Sequence, residues 1–297
     1  MAGVTRAGTL QSQSFILDQI NKNNAKYVEL TQQVTTGKIT QRYSGIADQS
    51  AMTVNLANNE EMLNQYLQSA ETTNSRIAAQ HNGLSTLIDV ATQFRAQLIQ
   101  AMTADQGDDG RIDVVADGDL DQIEATLNSD LGGVYLFGGT KNDSPPVDLS
   151  DPIKNSNGTY YSGAGALMQS RVDSNTVLQY GVTADFDGFK KMISSVQRVS
   201  SAPTNLDELK TALDELNSAL DQMTQKEAEL GHQMKVVETA QTRNTGIKAT
   251  VVNQLSGLRD VDISAAMVEL TQRQTVLQAS YSVIAKQNDL SLVNYIR

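Results

Sequence analysis

Cysteine and tryptophan are absent from the 297 residues, proline occurs four times, histidine twice, and aromatic residues make up 5% of the chain. The lack of cysteine excludes disulfides and thiolate metal sites and leaves the redox compartment undetermined. Few aromatics, with many Gln, Asn, Thr and Ser, suit long helices packed on helices better than one large globular core. No stretch approaches the ~20 apolar residues of a membrane span, and Phe15-Ile16-Leu17 is too short for the core of a signal peptide. Basic residues are outnumbered, giving a net charge of −11. That balance argues against a nucleic-acid coat, which needs clustered Lys and Arg. Residues 1–45 depart from it, with five basic and two acidic side chains, a net +3 against −14 for the remainder. A mildly basic amphipathic N-terminus could lie on a membrane surface, but here it is Asn-, Gln- and Thr-rich and lacks a Trp anchor.

Catalytic constellations are equally scarce. His81 and His232 each fall inside a long helical pattern with no second histidine nearby, and His-Glu-x-x-His is missing, so a zinc hydrolase has no ligands. No Gly-x-Ser-x-Gly elbow occurs. Gly133 and Gly138 have the spacing of a P-loop, but Gly139-Thr140 stands where Lys-Ser/Thr is required. Asp117-x-Asp119-x-Asp121 begins like a calcium loop, then has Gln122 in place of the bend glycine and Asn128 in place of the bidentate glutamate. It reads as part of a solvated acidic turn over Asp105–Asp121. Asn142-Asp143-Ser144 and Asn157-Gly158-Thr159 fit a glycosylation triplet, a pattern common by chance. These residues predict no enzyme, no cofactor and no metal.

What the sequence does have is helical periodicity. Ile16, Ile20, Tyr27, Leu30 and Val34 form one stripe, and Ile263, Met267, Leu270, Leu277, Tyr281 and Ile284 form another at the opposite end of the chain. Both have the spacing of a coiled-coil seam. The second seam is leaky, with Gln274, Asn288 and Ser291 in slots an apolar residue normally holds, so neither helix is expected to be stable without a partner. These eleven residues are the candidate assembly interface. Residues 1–14 are small and polar and are expected to be disordered in the free chain. Gly37 is placed as a helix C-terminal glycine.

Between the stripes lie two longer patterns. From about Asp48 to Thr103, Leu56, Leu63, Ala70, Ile77, Leu84, Ala91 and Leu98 recur at every seventh position, with Tyr66, Leu87 and Phe94 in companion slots. A helix of that length spans about 80 Å. From Leu209 to Leu258 a second 3-4 pattern runs with Glu227, Gln241, Asn244 and Lys248 in polar seam slots. It opens on Asn205 with Glu208 three residues on, like a capping box. The polar seam residues Asn244, Gln241 and Gln274 are expected to set register between helices. The phase slips between Leu258 and Ile263, which marks a joint, and residues 37–48 are its counterpart. A short helix is expected from Asp119 to Leu131. Val134–Phe137, Thr159–Tyr161 and Val177–Val182 are candidate strands separated by turn signals at Asn142–Pro146 and Asn157-Gly158, and Phe186, Phe189, Met192, Ile193 and Val196 outline a returning helix. The fold class is mainly α: a long antiparallel coiled-coil or helix-bundle rod formed by the two halves of the chain, with a small β-rich insertion. The expected division is 1–45 with 259–297, 46–133 with 186–258, and 134–185.

Leu258-Arg-Asp-Val-Asp-Ile-Ser-Ala-Ala-Met and Leu277-Gln-Ala-Ser-Tyr-Ser-Val-Ile-Ala resemble the C-terminal helix of bacterial flagellins, as does the N-terminal helix ending in Thr36-Gly37-Lys38-Ile39. Tyr135-Leu-Phe-Gly-Gly-Thr140 with Pro145-Pro146, Tyr180-Gly-Val-Thr-Ala-Asp185 leading to Gly188-Phe189, and Leu290-Ser-Leu-Val-Asn-Tyr-Ile are similar to the hook–filament junction branch of that family. Tyr43-Ser-Gly-Ile-Ala-Asp48 departs from the Ser-Asp-Asp-Pro-like stretch usual after the first joint. The resemblance implies an extracellular flagellar structural protein, exported without a cleaved signal by the flagellar type III apparatus and an export chaperone. It implies an inner layer of paired termini that orders on assembly into a homo-oligomeric ring or tubular layer. Its implied neighbours are the first hook-associated protein, FlgK, below and flagellin above, with no nucleic acid or membrane as partner. A minor filament flagellin that polymerises by itself shares every terminal feature, and a cytoplasmic helical-hairpin signalling module would share the heptads.

Overall fold

The structure, a computed structural model, describes residues 2–40, 49–103, 111–150 and 160–293, with side chains from 14 to 286 within those ranges. The expected readings of Tyr43–Asp48, of the turn at Asn157-Gly158, of Thr159, and of the side chains of Asn288 and Ser291 lie outside the described residues, as does the 104–110 part of the acidic run. Among the described residues the fold is carried by six helices: α1 (Ala2–Thr36), α2 (Ser50–Thr103), α3 (Ile112–Leu127), α4 (Asp187–Ser201), α5 (Leu206–Arg259) and α6 (Ile263–Val293). Strands are short: β1 (Asp130–Leu131) pairs antiparallel with β2 (Val134–Tyr135), and β3 (Met168–Arg171) with β4 (Val177–Tyr180). The mainly α class with a small β-containing insertion is the observed one. No helix among the described residues is long and apolar enough to cross a membrane.

Compact packing divides the chain into two units, residues 1–60 with 249–297 and residues 61–248. In the second, the α2 heptad positions from Leu63 to Leu98 are all buried, as are Leu87 and Phe94. Arg95 Nη1 donates to Asn217 Oδ1 at 3.4 Å, and His81 Nε2 lies 3.9 Å from Glu227 Oε1. Falling numbers on α2 meet rising numbers on α5, so the two run antiparallel. Asn205 caps α5, its Oδ1 accepting from the backbone N–H of Asp207 and Glu208 at 3.1 and 3.4 Å. Glu208 does not complete the box: its carboxylate takes Arg198 of α4 at 2.8 Å instead.

The insertion shares this core. Leu136, Phe137, Val147, Tyr160, Val172 and Val182 belong to the same buried cluster as the α2, α3, α4 and α5 stripes. Its short strands are tied down by side chains of the long helices. Gln80 Nε2 donates to the carbonyls of Leu136 and Val182, Gln233 Oε1 accepts from the Gly181 N–H at 3.0 Å, and Asn244 Nδ2 donates to the Val172 carbonyl at 2.9 Å. Asn244 therefore does not set helix–helix register as its seam position suggested. It satisfies a backbone carbonyl that would be costly to bury alone. Gly139 has φ 68°, and an added Cβ would fall on the Ala164 carbonyl oxygen. Only glycine fits where these two backbone segments cross.

α3 begins at Ile112 rather than Asp119, so Asp117 and Asp121 share one face of a helix and Asp119 lies on another, instead of the three lining a loop. Among the described residues no group of three or more His, Asp or Glu could hold a metal. Asp119 sits between Ala116 and Ile123 on the buried stripe of α3, and desolvation lifts its pKa from 3.8 to about 6. A raised carboxyl pKa means that the folded chain holds the proton more tightly than the unfolded one. The ionised carboxylate therefore costs stability above pH ~6, and the cost vanishes below the unfolded value. Asp119→Asn is expected to raise the urea midpoint at pH 7.5 and leave it unchanged at pH 3.5. Equal midpoints at both pH values would refute the assignment.

Candidate assembly surface

The first unit is built on α1 and α6, which pack along each other. α1 starts at Ala2, inside the stretch 1–14 expected to be disordered: no proline interrupts residues 2–14, so the helix runs on through the polar stretch. It ends where Gly37 takes φ 69° and its N–H bonds to the Gln33 carbonyl at 2.8 Å, the expected glycine stop. The two joints then meet. The Ile39 N–H donates to the Arg259 carbonyl at 2.7 Å and the Val261 N–H to the Gly37 carbonyl at 3.0 Å, a one-rung antiparallel bridge between Lys38 and Asp260. Higher up, Arg273 Nη1 of α6 donates to Asn23 Oδ1 of α1 at 2.8 Å, while its Nη2 lies 3.1 Å from Glu269. This polar pair and the bridged joints fix one antiparallel register.

Within that register the α1 stripe faces inward. Ile20 and Leu30 are buried, Leu30 to 2% exposure, and Ile16, Tyr27 and Val34 are half-buried, with Asn23 filling the missing slot. On α6 the inward row is Ala266, Leu270, Arg273, Leu277, Ser280 and Ile284. Leu270, Leu277 and Ile284 were in the expected stripe, whereas Ala266, Arg273 and Ser280 were not. The remaining expected residues, Ile263, Met267 and Tyr281, face outward, Met267 at 53% and Tyr281 at 55% exposure. Gln274 is exposed as well, one residue off the seam that Arg273 occupies. Val268, at 71%, and Val283 extend the uncovered apolar surface of α6, and Phe15, Leu17 and Val28 do so on α1. The pair of helices thus buries one narrow seam and leaves large apolar side chains of both helices in water.

His232 is exposed and His81 half-buried beside Glu227, and neither meets a second histidine. Tyr160, whose hydroxyl donates to the Ala184 carbonyl at 3.0 Å, and Tyr161, which donates to the Ala164 carbonyl at 2.7 Å, are held as phenols by burial and by the nearby Asp185. They act as struts of the insertion.

Residues 213–296, most of α5 and all of α6, match the bacterial flagellin C-terminal helical region. Flagellar hook-associated protein 3 of Escherichia coli is 25% identical over 92% of this chain and 94% of the relative, and that of Salmonella typhimurium is 23% identical with the same coverage. The chain is similar to flagellar hook-associated protein 3. Solved structures give the same fold. FlgL of Bacillus cereus superposes with a TM-score of 0.57 at 19% identity, covering 69% of this chain and 99% of that one. The flagellar junction protein FlgL of Legionella pneumophila gives 0.52 at 15%, covering 69% and 98%. The likeness to hook-associated protein 3 extends over 92% of this chain, so it does not rest on the flagellin-type C-terminus alone.

Proposed function

We propose that this chain is a structural, non-catalytic component of the bacterial flagellum that joins the hook to the flagellin filament. The uncovered apolar rows of α1 and α6 carry this reading. Ile263, Met267, Val268 and Tyr281 lie on a helix whose buried seam is already occupied, and contiguous exposed apolar surface marks an interaction site. In the assembled layer, residues 1–45 with 259–297 form the inner wall, 46–133 with 186–258 the supporting helices, and 134–185 the outer face. All eleven stripe residues are interface residues: the inward ones hold α1 to α6 and the outward ones meet neighbouring copies. The terminal helices fold fully only when those neighbours contribute surface, which keeps the free subunit from polymerising early. FlgK on the hook side and flagellin on the filament side are the proposed neighbours, reached after export by the flagellar apparatus with a chaperone.

Purified protein challenged with a precipitating salt and short filament seeds, then viewed by negative-stain electron microscopy, tests the proposal. The expected result is no elongation, together with decoration of hook ends that carry FlgK. Long filaments of this protein alone would make it a minor flagellin and overturn the junction role.

A further inference from the structure

An open groove of about 480 Å³ lies between α2 and the β3–β4 hairpin. Its floor is a hydroxyl cluster in which Ser170 Oγ lies 2.7 Å from Thr73 Oγ1 and 2.8 Å from Ser69 Oγ. Arg76 and Arg171 are among the residues that line it. Arg76 spends one N–H on the Tyr180 hydroxyl at 3.3 Å and Arg171 one on the Ser174 carbonyl at 3.0 Å. Neither meets a carboxylate among the described residues, although Glu71 lines an adjoining groove with Arg76. Acidic residues outnumber basic ones 34 to 23 in this chain, and Arg198, Arg243 and Arg273 all have carboxylate partners. Two arginines left without one in a single groove leave guanidinium donors for a carboxylate from outside.

The complementary surface is on the same unit. Asp113, Asp117, Asp121 and Glu124 follow one another on α3 at steps of four, four and three, along one helix face. Asp117 and Asp121 are exposed and the other two half-buried, and none has an ion-pair partner among the described residues. Asp117 accepts from Ser200 Oγ at 2.6 Å. α3 returns alongside α2, with Thr126 level with Gly83. At about 1.5 Å per residue the acidic face is then displaced from the groove by roughly 30 Å along α2. A chain cannot reach its own groove across that distance, but a copy shifted along the helix direction can.

We propose that the Arg76–Arg171 groove receives the acidic face of α3 from a second copy of this chain, a head-to-tail contact of the kind that closes rings or runs around tubes. The proposal rests on the reading of the chain as an assembling flagellar subunit. It is tested in swimming cells by the amount of protein retained on purified hooks. Arg171→Glu and the pair Asp117→Lys with Asp121→Lys are each expected to lower retention at least tenfold, with unchanged thermal melting of the purified chains. Combining them is expected to restore retention to within twofold of the parent, because the charges are exchanged across the contact. Parental retention of Arg171→Glu would overturn the proposal. So would failure of the combination to rescue, which would give the groove to carboxylates of another flagellar protein. Retention of the parent chain is the internal reference: if the parent occupies hooks and the exchange fails, this contact is wrong and the junction role stands. If the parent never reaches hooks, both fall.

Discussion

Ile20→Asp is expected to abolish incorporation into the flagellum, with at least a hundredfold loss of hook-bound protein and no swimming, while the heat-induced unfolding of residues 61–248 stays as in the parent. Ile20 is 6% exposed on the inward row of α1, and the Asn23–Arg273 pair sets a register that brings it level with Leu277 of α6. Removing the isoleucine forfeits about 2–3 kcal/mol of burial, and a carboxylate placed there without a cation adds a desolvation cost of similar size or larger. The side chains one turn away on α1, Ile16 and Asn24, offer no positive charge. A two-helix unit whose seam already contains Asn23, Arg273 and Ser280 cannot absorb about 4 kcal/mol and remain paired. Tyr281→Asp separates pairing from assembly. Tyr281 is exposed in the single chain, so this variant is expected to keep the parent's helix content yet lose incorporation. Normal swimming from Ile20→Asp cells would refute the terminal pair as the assembling element, and normal incorporation of Tyr281→Asp would restrict the interface to other residues.

The difference between these two variants also explains which parts of the site were legible beforehand. On α2 every heptad position from Leu56 to Leu98 is buried, because polar residues surround a single apolar row and only one phase fits. α6 has no single apolar row: Ile263, Ala266, Met267, Val268, Leu270, Val276, Leu277, Tyr281, Val283 and Ile284 allow two seams one residue apart. Size favours the row through Met267 and Tyr281. Packing against α1 selects the row through Ala266 and Ser280, whose small side chains let the helices approach, and leaves the large ones for neighbours. The joints were legible because a glycine stop and a phase slip are local signals. The anchoring of the insertion was not. Asn244 reads in sequence as a polar interruption of a seam, Gln80 and Gln233 give no signal of their own, and only the fold brings carbonyls of residues 56 to 102 positions away to meet Gln80 and Asn244. Two-residue strands held by such bonds leave no alternating pattern to read.

That anchoring concentrates on one ring, and Phe137→Ala is expected to cost about 3–5 kcal/mol of folding stability. Phe137 is fully buried and meets Phe189 of α4 edge-to-face at 6.0 Å and 83°, and Phe189 in turn meets Phe186 at 5.4 Å and 85°. On the α2 side the ring lies over Gly83, where an added Cβ would stand 3.1 Å from the ring. The helix therefore gives up a residue better suited to its interior so that an aromatic from the insertion can reach the core. With a urea dependence of about 2 kcal/mol per molar, the midpoint of Phe137→Ala should fall by about 2 M. Gly83→Ala supplies the control. In the parent it pushes against the ring and is expected to destabilise. In the Phe137→Ala background the added methyl enters the vacated space, and the helix gains the roughly 1 kcal/mol that alanine holds over glycine, so the sign reverses. A coupling energy near zero in that double-mutant cycle would mean that the ring does not rest on Gly83 and that the insertion is held by its other buried side chains and by the hydrogen bonds from Gln80, Gln233 and Asn244. A large coupling, with α1 and α6 untouched, would establish that the outer segment is fixed to the long helices by this aromatic contact, so that load reaching it passes into α2 and α4 through packed side chains.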